Sequence, residues 1–296
     1  MTPCALYIYP GYELSGEALA VALGCPSYPV HIHAFPDGES LVKVENAPGT
    51  ALLYASLDHP NDKLINLVFA AQALRDTGSE RIVLVCPYLC YMRQDKAFHA
   101  GEAISQQIIG RLLSAYFDRI VTVDPHLHRV SSLDMVFPEI ETNVLSAAGL
   151  IAETILVEEN LKDACLVGPD SESEQWVGAI AGKTGHSMLV ARKLRTGDRE
   201  VQINLPGLEQ VKNRPAIIID DMISSGSTAR RCADLLFQAG ACRIEIIAVH
   251  ALCQGEDLSN IYAAGIERVR SSDSVLHPTN FISLAPLLAD ALKKEL

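Results

Sequence analysis

Residues 215–228, reading PAIIIDDMISSGST, limit the possible folds of this chain more than any other stretch. Ala216–Ile219 is a short apolar run, rich in β-branched residues and too short to stand as a helix, so it reads as a buried strand of a parallel sheet. Asp220 and Asp221 fall where that strand is expected to stop. A small hydroxyl-rich loop follows, Ser224, Ser225, Gly226, Ser227 and Thr228, and then an amphipathic helix to about residue 239, closed by Gly240. A strand, loop and helix N-terminus in this order make an anion site, because unpaired backbone N–H groups and the helix dipole converge there. Gly226 lets a phosphate approach the backbone, and the hydroxyls add donors. Phosphate alone does not account for two aspartates, which would repel it. They fit a ligand that places sugar hydroxyls or a hydrated metal ion between them and the phosphate. A phosphorylated sugar meets both requirements; the plain alternative is that the aspartates and serines only shape a turn.

A chain of 296 residues has room for two domains, each with its own core. No apolar run approaches the length of a membrane span, and the N-terminus lacks the basic flank and long apolar run of a signal peptide, so a cytoplasmic, membrane-free protein is expected. The formal charge of −12 argues against nucleic acid as a partner. In so acidic a chain, clustered Lys and Arg mark places where negative ligands are handled. The eight cysteines show no paired metal-ligand spacing and are expected to be free thiols in a reducing compartment.

Short apolar runs alternate with helical patterns along the chain. Strands are predicted near 5–9, 31–34, 40–44, 51–56, 81–86 and 119–123, and again near 164–167, 188–191, 201–204, 216–219 and 245–250. Helices are predicted near 14–23, 62–77, 102–115, 145–160, 173–184, 228–239 and 285–294. The alternation implies an α/β protein with mainly parallel sheets covered by helices on both faces. A boundary near 140–150 divides it into domains 1–145 and 146–296, with the last helix packing back on the first.

Further polar stretches stand where a plain fold would not need them. Phe35, Asp37 and Glu39 surround a Pro-Asp-Gly turn, which is either an ordinary hairpin or an aromatic platform flanked by acids that would hold a base. Arg93 and Lys96 follow the strand at 81–86, at the edge where open α/β sheets bind ligands, and either clamp phosphates or belong to a solvated charged loop. His126 follows the strand at 119–123 as a candidate metal ligand or phosphate donor. Asp170 follows the strand at 164–167 and is placed to share a cation with His126, while Ser171 and the glutamates after it would cap the next helix. Arg192, Lys193, Arg195 and Arg199 put four cations in eight residues around Gly197, which reads as a mobile basic loop for a transferring phosphoryl group.

In this order and spacing, F-x-D-G-E, Y-x-R-Q-D, G-E-x-I-S (Gly101 to Ser105), T-V-D-x-H and D-D-M-I-S resemble the ribose-phosphate diphosphokinases along essentially the whole chain. The Asp220–Thr228 segment itself resembles the phosphoribosyl-diphosphate loop of the type I phosphoribosyltransferase fold. The resemblance implies two tandem phosphoribosyltransferase-like domains and transfer of the diphosphoryl group of ATP to the 1-hydroxyl of ribose 5-phosphate. It also implies Mg2+, AMP as product, and homo-oligomers in which a neighbour's F-x-D-G-E turn completes the adenine pocket. By motif, Phe35, Asp37 and Glu39 would hold adenine, and Arg93, Gln94 and His126 the ATP phosphates. His126 and Asp170 would place magnesium, Asp220 and Asp221 the ribose hydroxyls, and Ser224–Thr228 the 5-phosphate. Lys193 and Arg195 would be catalytic, in a K-x-R-x-G-D-R-E-V form similar to the archaeal-type branch. Two departures stand out: GPDSESEQW replaces the family's S-P-D-x-G-G, and S-S-G-S-T replaces S-T-G-G-T. The first adds negative charge near the expected diphosphate path, which keeps two other readings open: a non-catalytic relative that binds nucleotides or partners, and a phosphoribosyltransferase that consumes the activated sugar.

Overall fold

The computed structural model describes residues 4–127, 130–195 and 201–296, with the backbone alone for 193–195 and 201–203. Its elements in chain order begin with β1 (Cys4–Ile8), α1 (Glu13–Leu23), β2 (Ser27–Pro29), β3 (His31–Ala34), β4 (Ser40–Lys43), β5 (Thr50–Tyr54), α2 (Leu64–Asp76), β6 (Arg81–Val85), α3 (Ser105–Ser114), β7 (Arg119–Val123) and β8 (Glu141–Leu145). They continue with α4 (Ala148–Leu156), β9 (Cys165–Gly168), α5 (Glu174–Thr184), β10 (Ser187–Val190), β11 (Arg192–Arg195), β12 (Val201–Asn204), β13 (Pro215–Ile223), α6 (Ser227–Gln238), β14 (Arg243–Ala251), α7 (Gly255–Ala263), β15 (Arg268–Ser272), β16 (Asn280–Ile282) and α8 (Ala285–Leu292).

The chain forms two compact units. Unit 1 comprises residues up to Leu145 together with Ser274–Leu276 and Ser283–Leu296; unit 2 comprises Ser146–Asp273 and His277–Ile282. Unit 1 holds a sheet in the order β2-β1-β5-β6-β7-β8, with every neighbouring pair parallel. Unit 2 holds one in the order β10-β9-β13-β14-β15-β16, again all parallel. Within each unit the sheet strands therefore run second, first, third, fourth, fifth, sixth. Each unit also inserts one antiparallel hairpin between its second and third sheet strands, β3–β4 in unit 1 and β11–β12 in unit 2. The central strands β5, β6, β13 and β14 are buried along almost their whole length, as expected where helices cover both faces of a sheet.

The apolar run that opens β13 continues beyond the expected stop at Ile219. The strand carries Asp220 and Asp221 inside it and ends at Ile223, because Met222 and Ile223 pair with His250 and Ala251 of β14. The helix expected from residue 102 begins at Ser105, and the one expected over 145–160 is the shorter α4, with Leu145 ending β8 instead. Absent from the predicted elements are β2, β8, β11, α7, β15 and β16; β11 covers Arg192–Arg195, where a basic loop is expected.

In unit 1, α8 is held at the amino ends of β6, β7 and β8. Glu295, just past α8, accepts from Arg119 Nη1 at 2.6 Å and Arg81 Nε at 2.8 Å, and Arg119 is 1% exposed. Arg119 also donates to Asn143 Oδ1 and to the Ala291 carbonyl at 3.0 Å, and Lys294 bridges to Glu141 at 2.8 Å. In unit 2 the corresponding edge carries Arg270, which pairs with Glu245 and Glu158. Both ionic networks lie at the amino edges, leaving the carboxyl edges to loops that carry chemistry. No helix among the described residues is long and apolar enough to cross a membrane.

Candidate active site

In unit 2 the sheet reverses its strand order between β9 and β13, the place where open α/β sheets bind ligands beyond their carboxyl ends. The register that pairs Val167 with Ile218 brings the turn after Gly168 beside Asp220. Asp221 is 4% exposed, and its N–H lies 3.0 Å from Asp220 Oδ1. Burial pushes the Asp220 carboxyl well above the usual carboxylate range, and the charges of Asp221 and Asp170 push it the same way. Excess negative charge at a buried position is what a cation or a set of hydroxyl donors relieves.

β13 passes into α6 through Ser224, Ser225 and Gly226. Gly226 is the residue before the helix, at φ 66°, and a Cβ there would stand 2.5 Å from Ile261 Cδ1. Left-handed backbone and contact with α7 both require glycine. Having no side chain, Gly226 leaves the first-turn amides of α6 without the capping acceptor that Ser, Thr or Asp would supply. Ser225 Oγ approaches Ser227 N at 3.4 Å and Ser227 Oγ at 3.1 Å, so the hydroxyls form a short chain across the helix start. Ser224, Ser225 and Ser227 are exposed and Thr228 is half-buried. First-turn amides, a helix dipole and four hydroxyls thus gather as donors just past the aspartates, an arrangement able to receive an anion.

The turn after β9 differs from the simple cap expected of it. Asp170 Oδ1 accepts from the amides of Glu172 at 3.0 Å and Ser173 at 3.3 Å, and Ser173 Oγ donates to the Asp170 carbonyl at 2.6 Å. Ser173 precedes α5 without a side-chain capping bond and is 1% exposed. Ser173 has no role in the sequence reading; its place four residues before the buried Val177, one helical turn on, is the signal that marks it.

The backbone of Lys193 and Arg195 lies in β11, paired with Ile203 and Val201 of β12, and Ala191 N–H joins the Gly168 carbonyl at 2.8 Å. The basic stretch thus springs from the strand next to the Asp170 turn. Its side chains, with Thr196, Gly197, Asp198 and Arg199, lie outside the described residues.

In unit 1, Phe35, Asp37 and Glu39 form the tip of the β3–β4 hairpin. Phe35 N–H meets the Glu39 carbonyl at 2.7 Å, Asp37 Oδ1 takes the Glu39 amide at 3.2 Å, and Phe35, 41% exposed, stands edge-on to His33. Past β6, the Gln94 carbonyl accepts from Gln106 N at 3.3 Å, and Gln106 Nε2 donates to the Met92 carbonyl at 3.2 Å. The start of α3 thereby fixes the stretch that presents exposed Arg93. Past β7, Asp124 is buried with φ 37°, an unusual backbone for a non-glycine residue, and half-buried His126 follows it. His126 belongs to unit 1 and Asp170 to unit 2. No three His, Cys, Asp or Glu side chains among the described residues gather as a metal site. A hydrated divalent cation needs only one or two carboxylates besides substrate oxygens, so Asp170, whose charge already crowds Asp220, is chemically suited to hold one without such a cage.

Two all-parallel sheets, with a glycine-led, hydroxyl-rich helix start at the strand-order reversal of unit 2, define an α/β protein of the phosphoribosyltransferase type. Residues 12–116 match the family described as the N-terminal domain of ribose phosphate pyrophosphokinase, and residues 139–276 match the phosphoribosyl transferase domain. The ribose-phosphate pyrophosphokinase of Methanothermobacter thermautotrophicus is 33% identical over 279 residues, covering 93% of this chain and 95% of its own. That of Methanosarcina acetivorans is 31% identical, covering 96% and 98%. The crystal structure of phosphoribosylpyrophosphate synthetase from Mycobacterium smegmatis shares the fold with a TM-score of 0.84 at 23% identity, covering 99% of this chain and 98% of that one. The chain belongs to the ribose-phosphate pyrophosphokinase family.

Proposed function

We propose that this protein transfers the diphosphoryl group of ATP to the 1-hydroxyl of ribose 5-phosphate, giving 5-phosphoribosyl 1-diphosphate and AMP. The observation that carries the reading is the open cradle Ser224–Thr228 beside the crowded carboxylates Asp220, Asp221 and Asp170, in a chain that its pyrophosphokinase relatives match end to end. The cradle takes the 5-phosphate, and Asp220 and Asp221 take the ribose hydroxyls. Phe35, Asp37 and Glu39 hold adenine, and Arg93, Gln94 and His126 hold the ATP phosphates. The 1-oxygen attacks the β-phosphorus, the bond from the β-phosphorus to the bridging oxygen breaks, and AMP leaves with that oxygen while the hydroxyl proton is released. Little covalent chemistry falls to the protein, so positioning and fixed positive charge dominate. Lys193 and Arg195 supply that charge to the equatorial and leaving oxygens. Asp170 and His126 would hold Mg2+, which when bound would neutralise charge on the phosphate oxygens. The protein acts in the cytoplasm as a homo-oligomer, and its first 145 residues with the last helix and residues 146 onward form the two catalytic domains.

Incubation with ATP, ribose 5-phosphate and Mg2+ should yield AMP and the diphosphorylated sugar in equal amounts. AMP formed without the sugar would point to hydrolysis, and no AMP would leave a nucleotide-binding relative as the better reading.

A further inference from the structure

At the carboxyl end of β9, a buried hydroxyl occupies the space that a side chain on residue 168 would need. A Cβ on Gly168 would stand 2.3 Å from Ser173 Oγ, while Ser173 Cβ and Val177 Cγ2 lie no closer than 3.3 Å. That hydroxyl donates to the Asp170 carbonyl at 2.6 Å, and Asp170 Oδ1 in turn accepts the amides of residues 172 and 173. Three bonds therefore lock one six-residue turn around a single carboxylate. The β9–β13 register sets this turn beside Asp220, whose carboxyl feels the Asp170 charge.

We infer that Ser173 is a positioning residue: through its bond to the Asp170 carbonyl and its seat against Gly168, it fixes the Asp170 carboxylate beside Asp220 and thereby sets the affinity for the divalent cation. The inference rests on the reading of Asp170 as a cation-binding carboxylate. Hydroxyl loss lets the Pro169–Asp170 corner rotate, which moves the carboxylate without altering its charge. Outer partners of metal-bound carboxylates are worth about 10-fold or more in metal affinity, and Ser173 stands in that relation to Asp170.

The test measures Mn2+ binding by electron paramagnetic resonance, with the metal as sole probe, to the wild type, Ser173→Ala, Gly168→Ala and the double variant. Ser173→Ala should weaken Mn2+ about 10-fold while thermal midpoint and Trp176 fluorescence stay unchanged. Gly168→Ala should do the same by pushing the hydroxyl aside, and the double variant should be no worse than Ser173→Ala alone, because the clash partner is gone. In turnover, half-activating Mg2+ should rise about 10-fold with the KM for ATP unmoved. Wild-type Mn2+ affinity in Ser173→Ala, or additive losses in the double variant, would overturn the inference while leaving the activity standing. Weakened Mn2+ binding in a protein that makes no AMP from ATP and ribose 5-phosphate would support the positioning role and sink the proposed reaction instead.

Discussion

Replacing Gly226 by alanine tests the cradle at its most constrained point. The backbone there sits at φ 66°, and an alanine Cβ would lie 2.5 Å from Ile261 Cδ1 and 2.6 Å from its Cγ1. Left-handed backbone costs an L-residue about 1–2 kcal/mol. Ile261 is fully buried on α7, so it yields only by repacking, at about 1–3 kcal/mol. Together these give about 2–5 kcal/mol, borne by the loop and by the α6–α7 contact. The sole tryptophan, Trp176, lies on α5 of unit 2, so its fluorescence during urea unfolding reports that unit. Gly226→Ala should lower the midpoint and weaken ribose 5-phosphate binding, measured by calorimetry, by about 10-fold or more, because about 1.4 kcal/mol of the strain is enough. In an Ile261→Ala background the same change should cost only the backbone component, about 1–2 kcal/mol. Equal cost in both backgrounds would refute the steric account, and unchanged sugar-phosphate affinity would refute the cradle.

Three further perturbations separate the roles of other residues. Lys193→Ala should lower kcat by about 100- to 1000-fold with circular dichroism and thermal midpoint intact, and unchanged AMP formation would remove Lys193 from the chemistry. Asp220 titrates above its unfolded value, so its contribution to stability is present at acid pH and is lost as pH rises through the native value. Accepting from the ribose hydroxyls needs its ionised form, so the acid limb of ribose 5-phosphate binding should move to lower pH in Asp221→Asn; an unmoved limb would exclude the charge coupling. Glu295→Gln leaves Arg119 buried without an anion, which should cost about 3–5 kcal/mol in thermal unfolding while Mn2+ affinity is unaffected, because the pair lies at the amino edge.

The elements that sequence made legible are those whose local chemistry is self-sufficient. β7 and the β3 hairpin strand have the expected bounds, since an apolar or alternating run between turn signals needs no tertiary partner to be read. β15 was passed over because Arg268 and Arg270 give it a charged pattern; only Glu158 and Glu245, distant in sequence, make Arg270 a core residue. α7 carries a local signal, the Gln254–Asp257 capping box, which apolar periodicity alone did not reveal. β13 overran its expected end because two aspartates look like a stop until β14 is known to pair alongside them. At the site, the hydroxyl-rich loop at 224–228 and the helix that follows it were legible from composition. The turn at 168–173 was not, since a hydroxyl packed against a glycine is a fact of three dimensions.

The two units share a strand order but not the chemistry at the point where that order reverses. In unit 2 the loop between the third sheet strand and its helix is three residues long, ends in glycine and leaves amides open. The same place in unit 1 is residues 55–63, a longer segment closed by its own side chains. There Lys63 donates to Asp58 at 2.7 Å and to the Ser56 carbonyl at 3.1 Å, and bonds the Tyr12 hydroxyl at 2.5 Å. Lys63 and Asp58 are each about 15% exposed, so the ammonium is neutralised where it stands and Asp58 adds a charge that repels phosphate. Unit 1 keeps the sheet without an open helix start at this place, which accords with the proposal that it meets the nucleotide through its loops after β6 and β7 instead. Calorimetric titration with ribose 5-phosphate should therefore give one site per chain, weakened about 10-fold or more by Gly226→Ala. A second site of similar affinity, surviving that substitution and removed by Lys63→Ala, would show that unit 1 retains a working cradle and would undo the division of labour.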